Sequence, residues 1–189
     1  MKLVHKYEYP TSTRAAIDGL RHYNIDGSSD KLPSVTTVLG QTQTSDKAAS
    51  LQRWRDKVGN ETARKITQEA AARGTSMHLY LEKYCLGEGY LDMTDVGNVA
   101  KHMAEKIVDK GIDNRLTEIY GNEAVLYYPG LYAGSCDLIG ELDGQITIID
   151  FKQTNLYYQE FVIEGKEYRS AKHGFLRRLD QFYSDKGKV

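Results

Sequence analysis

The chain is short of the residues that staple small folds. It has only two cysteines in 189 residues, Cys85 and Cys136, at no framework spacing, which argues against a disulfide-built secreted scaffold. Both read as buried, reduced thiols. No apolar run approaches the length of a membrane span, and Met1-Lys2-Leu3-Val4-His5-Lys6 lacks the apolar stretch of a signal peptide. A soluble cytoplasmic protein with no membrane partner is therefore expected. Neither sign of charge dominates: 25 Lys and Arg stand against 26 Asp and Glu, so composition neither demands nor excludes a nucleic-acid partner. Internal repeats and low-complexity tracts are missing too, and the length suits one well-buried core without disulfides or a second domain.

What is there is more telling in its distribution. Arg53, Arg55, Lys57, Arg64, Lys65 and Arg73 gather in one helical region, and Lys166, Arg169, Lys172, Arg177, Arg178, Lys186 and Lys188 gather near the C-terminus. Such clusters can follow a phosphate backbone, although helix faces carry mixed charge routinely and the solvated-face reading holds for any one residue. Fourteen tyrosines against one tryptophan offer stacking platforms for single strands, or simply core and rim residues.

The pattern along the chain predicts an N-terminal arm over 1–44, with a loose hairpin ending at Asp26-Gly27-Ser28-Ser29-Asp30 and a Leu32-to-Leu39 entry segment. A helical part over 45–111 follows. One helix runs from Ser45 to Val58 and stops at Gly59, a second runs from Asn60 to Leu86 with a break at Gly74, and a third starts near Thr94 and stops at Gly111. Val96, Val99, Met103 and Ile107 share a face of the third. The period then changes to strands over 117–163, and a closing helix over 166–185 completes the chain. Helices first and strands later indicate an α+β domain with a small, mostly antiparallel or mixed sheet packed against helices.

Asp143-Gly144, between two runs of β-branched and apolar residues, predicts a two-residue hairpin turn. Counting outward from Leu142 opposite Gln145 sets Asp137 opposite Asp150, in a position where side chains lie closest. Lys152 shares the face of Asp150, and Ile149 and Phe151 point into the core. Like charges directly opposite are destabilising, so a hard cation with oxygen ligands is the natural compensation, with Lys152 placed to orient water. The bland alternative is a pair of solvated strand ends beside a surface lysine; Glu164-Gly165-Lys166 shows how cheaply an acidic-x-Lys triplet arises.

A second constellation lies at Arg73-Gly74-Thr75-Ser76-Met77-His78-Leu79-Tyr80-Leu81-Glu82. His78 and Glu82 are four apart on one helix face, beside an apolar stripe of Met77, Leu81, Tyr84 and Cys85. The pair reads as a metal ligand with its carboxylate, or as an ordinary i,i+4 contact on a helix surface.

Together these segments resemble the PD-(D/E)XK nuclease superfamily, and within it the RecB-like exonucleases of the phage and mitochondrial genome-maintenance type. The resemblance runs from about Leu32 to Asn155 and takes in the Leu32-to-Leu39 entry, Arg73-Gly74-Thr75 with His78 and Glu82, Glu123, Ala133-Gly134-Ser135-Cys136-Asp137, and Ile149-Asp150-Phe151-Lys152-Gln153-Thr154, in the family's order. It implies a restriction-endonuclease-like core and metal-dependent phosphodiester hydrolysis on single-stranded or frayed DNA. By that resemblance Asp137, Asp150 and His78 hold Mg²⁺ or Mn²⁺, and Lys152 positions the nucleophile. Glu82 and Glu123 are additional candidates, and Arg73, Gln153 and Thr154 contact nucleic acid.

The chain departs from the family after Lys152. A helix carrying Gln-x-x-x-Tyr and a further strand are expected there, but only Gln153-Thr154-Asn155-Leu156 precedes Tyr157, too few residues for a parallel crossover. The departure leads to two expectations, self-association through an uncovered apolar face and weakened processivity. It also keeps two alternatives open, an endonuclease of the same superfamily and a shortened noncatalytic module that binds nucleic acid or a partner.

Overall fold

The N-terminal arm is ordered by turn chemistry more than by any strong strand pattern. After a short strand β1 (Lys2–Leu3), β2 (Ser12–Ile17) and β3 (Leu20–Ile25) form a hairpin whose two turn residues, Asp18 and Gly19, both have positive φ. The computed structural model describes residues 1–153 and the strand backbones at 158–163, 166–171 and 175–178. β4 (Lys31–Pro33) pairs with β3 to complete a three-stranded antiparallel sheet. The loose arm is thus a sheet with its own core: Tyr23, Ile25 and Leu32 close on Ala133. The Leu32-to-Leu39 segment splits between β4 and helix α1 (Val35–Gln41). Ser34 caps that helix by accepting the Thr37 N–H at 3.0 Å.

The next helices follow their sequence signals closely. α2 (Ser45–Val58) ends at Gly59, whose φ of 84° and ψ of 145° suit glycine alone, and α3 (Asn60–Leu86) starts at once. Gly74 does not break α3, which runs 27 residues to a left-handed Gly87 cap. α4 (Asp95–Ile107), capped by Thr94, unwinds into one π-helical turn, Val108–Ile112.

Two expected faces are corrected. On α4 Met103 and Ile107 pack half-buried against the core as expected, but the fully buried residues are Gly97, Ala100 and Ala104, and Val99 is half exposed. The loop before α4 holds position 97 to glycine: a Cβ there would stand 2.1 Å from the Asp92 carboxyl carbon. On α3 Met77, Leu81 and Cys85 are buried, but Tyr84 turns outward to donate its hydroxyl to Asp113 at 2.7 Å.

The main sheet has the order β1-β5-β6-β7, with β1 parallel to β5 and the other pairs antiparallel. β5 (Leu116–Tyr128) is one long strand with two register shifts against its partner. β6 spans Tyr132–Leu142 and β7 spans Gln145–Ile149. Their turn is the expected one, Asp143 and Gly144 both having positive φ. The principal core joins Met77, Leu81 and Cys85 of α3 and Ala100 and Ala104 of α4 to Leu116, Ile119, Leu138 and Phe151. The molecule is α+β, with helices packed on a mixed sheet. Among the described residues no helix is long and apolar enough to cross a membrane.

The chain divides into two compact units, Met1–Phe151 and Lys152–Val189. In the second, β8 (Tyr158–Ile163), β9 (Lys166–Ala171) and β10 (Phe175–Arg178) form an antiparallel sheet of order β10-β9-β8. The closing helix expected over 166–185 is therefore corrected: its first half is two strands. Ile163 opposite Lys166 leaves two residues, Glu164 and Gly165, between β8 and β9, a hairpin signal that the basic character of the segment obscured. The remainder of that expected helix, from residue 179, lies outside the described residues.

Candidate metal centre

Counting from the β6–β7 turn, the register holds for every pair from Leu142 opposite Gln145 to Leu138 opposite Ile149. There the ladder stops. β7 was expected to reach Lys152, with Asp150 facing Asp137, but the strand ends one residue short of that pair. The reason is local: an Asp137 carboxylate oxygen, Oδ2, accepts the Phe151 N–H at 2.7 Å, so a side chain takes up a donor just beyond the ladder. Two facing carboxylates would also repel in that position. Ile149 and Phe151 still reach the core as alternation requires.

The other hairpin brings Asp137 its carboxylate neighbour. Tyr128 pairs with Tyr132 across a loop with Gly130 at a φ of 73°, and the register continues through Ala124 opposite Cys136 to Asn122 opposite Leu138. Glu123 falls between those last two pairs, level with Asp137. It does so with a φ of 50°, a left-handed conformation that costs a non-glycine residue about 1–2 kcal/mol.

His78 closes the group from the helix side. Ser76 and Met77 are buried, which fixes this turn of α3 against the core, and the His78 ring meets Phe151 edge-on at 6.3 Å between centroids. Its Nδ1 lies 3.4 Å from Asp137 Oδ1, so the two oxygens of Asp137 divide between imidazole and backbone. One ligand atom from each of His78, Glu123 and Asp137 lies within 4.8 Å of the others. Bonds of about 2.0–2.2 Å to a common cation allow ligand separations of up to about 4.4 Å, so a small side-chain adjustment closes the set.

Each acidic group is also steadied by neighbours. Ser135 donates its hydroxyl to Glu123 Oε2 at 2.8 Å, and Arg14 approaches the same oxygen at 3.9 Å. Asn122 donates to the Glu82 carbonyl at 3.0 Å, tying α3 to β5 beside Glu123. Burial, and then the charges of Asp137, Asp150 and Glu123, push the Cys136 thiol above its ordinary range, which keeps it a poor thiolate ligand. The donor set is one imidazole and two carboxylates. That chemistry fits an oxygen-preferring divalent cation such as Mn²⁺ or Mg²⁺.

Among the described residues no other candidate carboxylate joins this group. Asp150 is exposed just after β7; its charge acts on Cys136, but its oxygens are not among the converging atoms. Glu82 is half-buried one turn beyond His78 and contributes its backbone carbonyl, while Arg73 is half-buried on the turn before. Lys152 is exposed and Gln153 half-buried at the start of the second unit; Thr154 lies outside the described residues. Sequence reasoning ranked Glu123 low because it counted from one turn only. Pro129-Gly130 was the signal that sets the second register.

Comparison with protein-family models, with curated proteins and with solved structures returns no match to this chain.

Proposed function

We propose that this protein is a metal-dependent nuclease that hydrolyses phosphodiester bonds, most suitably at single-stranded or frayed DNA ends. The observation that carries the reading is the convergence of His78, Glu123 and Asp137 from α3, β5 and β6, with one carboxylate held at a strained backbone position. A mixed sheet packed on helices supports reading the first unit as a restriction-endonuclease-like core, and the ordered motifs described above supply the family. Reduced thiols fit a cytoplasmic setting.

His78, Glu123 and Asp137 would hold Mn²⁺ or Mg²⁺, with Asp150 adding negative charge at the rim. When bound, the cation supplies Lewis-acid polarisation of the phosphodiester and an acidified water. Asp137 has a second task, since its Oδ2 anchors the Phe151 N–H and so fixes where the chain leaves β7. Lys152, the next residue, is assigned water positioning by the motif resemblance. The Phe151 ring packs edge-on against the His78 imidazole.

The test is degradation of an end-labelled single strand beside a closed single-stranded circle, in Mg²⁺, Mn²⁺ and EDTA. Metal-dependent loss of the linear strand alone, abolished by Asp137→Ala and Lys152→Ala, identifies an exonuclease. Cleavage of the circle identifies an endonuclease, and a folded wild type inert with every metal overturns catalysis.

A further inference from the structure

Where α2 meets α3, the structure opens a cavity of about 350 Å³ lined by Arg55, Asn60, Ala63, Arg64, Thr67 and Gln68.

The α3 residues of this lining, Asn60, Ala63, Arg64, Thr67 and Gln68, recur at helical spacing and so make one face, turned toward α2. A helix face turned to a neighbouring helix is ordinarily apolar, yet here only Ala63 is buried. Among the described residues neither the Arg55 nor the Arg64 guanidinium meets a carboxylate, while the nearby Glu61 is taken by Lys65 at 3.3 Å. Two uncompensated guanidiniums beside the Asn60 and Gln68 amides match a phosphate in charge and in donor chemistry, while the Thr67 hydroxyl is spent on the Ala63 carbonyl at 2.8 Å.

The same face leads to the candidate metal centre. Arg64, Thr67, Ala71, Gly74 and His78 follow at spacings of three and four, and the residues between Arg64 and His78 on this line are small and uncharged. Over those two heptads a straight helix drifts by only about 40°. The axial distance from Arg64 to His78 is about 21 Å at 1.5 Å per residue. That spans about six phosphates at the 3.4 Å spacing of a stacked strand, and fewer if the strand is extended.

We infer that a single nucleic-acid strand runs along this face of α3, with Arg55 and Arg64 gripping a backbone phosphate several nucleotides from the metal centre. This rests on the nuclease reading and adds a substrate-grip site to it.

The experiment is fluorescence-anisotropy binding of labelled single strands of about three and about twelve nucleotides, in EDTA and across a salt series. The proteins are wild type, Arg55→Gln/Arg64→Gln, and Arg53→Gln as a surface control outside the cavity, with folding checked by circular dichroism. The expected result is at least a tenfold loss for the long strand in the double variant. Its salt slope should fall by about 0.7 for each phosphate contact removed. The short strand and Arg53→Gln should change little. Equal effects at both lengths, or none in the double variant, overturn the grip site and leave the nuclease reading standing. Failure of the wild type to bind any strand overturns both.

Discussion

Gly97 offers a substitution whose sign the structure fixes against the usual rule. Replacing a helical glycine by alanine ordinarily stabilises by about 0.5–1 kcal/mol, because the unfolded chain loses freedom. At Gly97 the new Cβ would lie 2.1 Å from Asp92 Cγ, 2.4 Å from its Oδ1 and 2.5 Å from its backbone oxygen. The carboxylate tip can rotate away, but the backbone carbonyl cannot. Rotation also breaks the contacts by which Asp92 accepts from Ser76 at 2.9 Å and from the Thr94 hydroxyl at 2.7 Å. Overpacking of this kind costs about 1–3 kcal/mol, which exceeds the propensity gain. The net is about 1–2 kcal/mol of destabilisation, or roughly 2–8 °C in Tm for a chain of this size. Gly40 in α1 is the matched contrast: nothing lies within 4 Å of its would-be Cβ, so Gly40→Ala should raise Tm by a few degrees, about 1–4 °C. Thermal melts followed by circular dichroism compare the two. A Gly97→Ala protein that melts at or above wild type refutes the close approach of α4 to the Asp92 loop.

Three further outcomes are expected. Mn²⁺ at about a hundred times its Kd should stabilise wild type by about 2.7 kcal/mol. Calorimetry should find that gain lost in His78→Ala, Glu123→Gln and Asp137→Asn, and its persistence in Glu123→Gln would remove Glu123 from the ligand set. Asp143 is held below its ordinary 3.8 by Arg115, so the stability it contributes is present above that value and lost as pH falls through the depressed one. Asp143→Asn keeps a residue that tolerates the turn's positive φ, so its Tm deficit at neutral pH should vanish in acid; a deficit independent of pH would point to the turn instead of the ion pair. Cys85 is buried and its thiol is pushed up to about 11, so at pH 8 it should resist a thiol reagent that reacts freely after denaturation. Rapid native labelling at Cys85 would contradict the packing of α3.

The helices were legible because their ends are written in single residues. Gly59 and Gly87 need backbone conformations that side chains resist, and Thr94 presents the hydroxyl that Gly97 N–H requires. The β6–β7 register was legible for the same reason, since Asp143-Gly144 admits few other turns. Burial on α4 was harder to read. Apolar periodicity favoured Val99, whereas Gly97, Ala100 and Ala104 are buried, Gly97 because Asp92 of the preceding loop leaves no room for a Cβ. The candidate centre was half legible: Asp137 and His78 meet, but the pairing of Asp137 with Asp150 gave way to a side-chain bond to Phe151 and to Glu123 from the other hairpin. The C-terminal strands were masked by basic composition, which says more about solvent than about backbone period.

The left-handed backbone at Glu123 bears on how such a protein would drift over generations. Exchange for glycine relaxes the strand while deleting the carboxylate, so at this position abandoning the ligand is downhill for the fold. Asparagine or aspartate would ease the backbone and keep an oxygen, whereas valine or isoleucine would add strain. A lineage free of selection on chemistry should slide toward glycine here. An acidic residue kept at a backbone angle that disfavours it is what a lineage still using the site would carry.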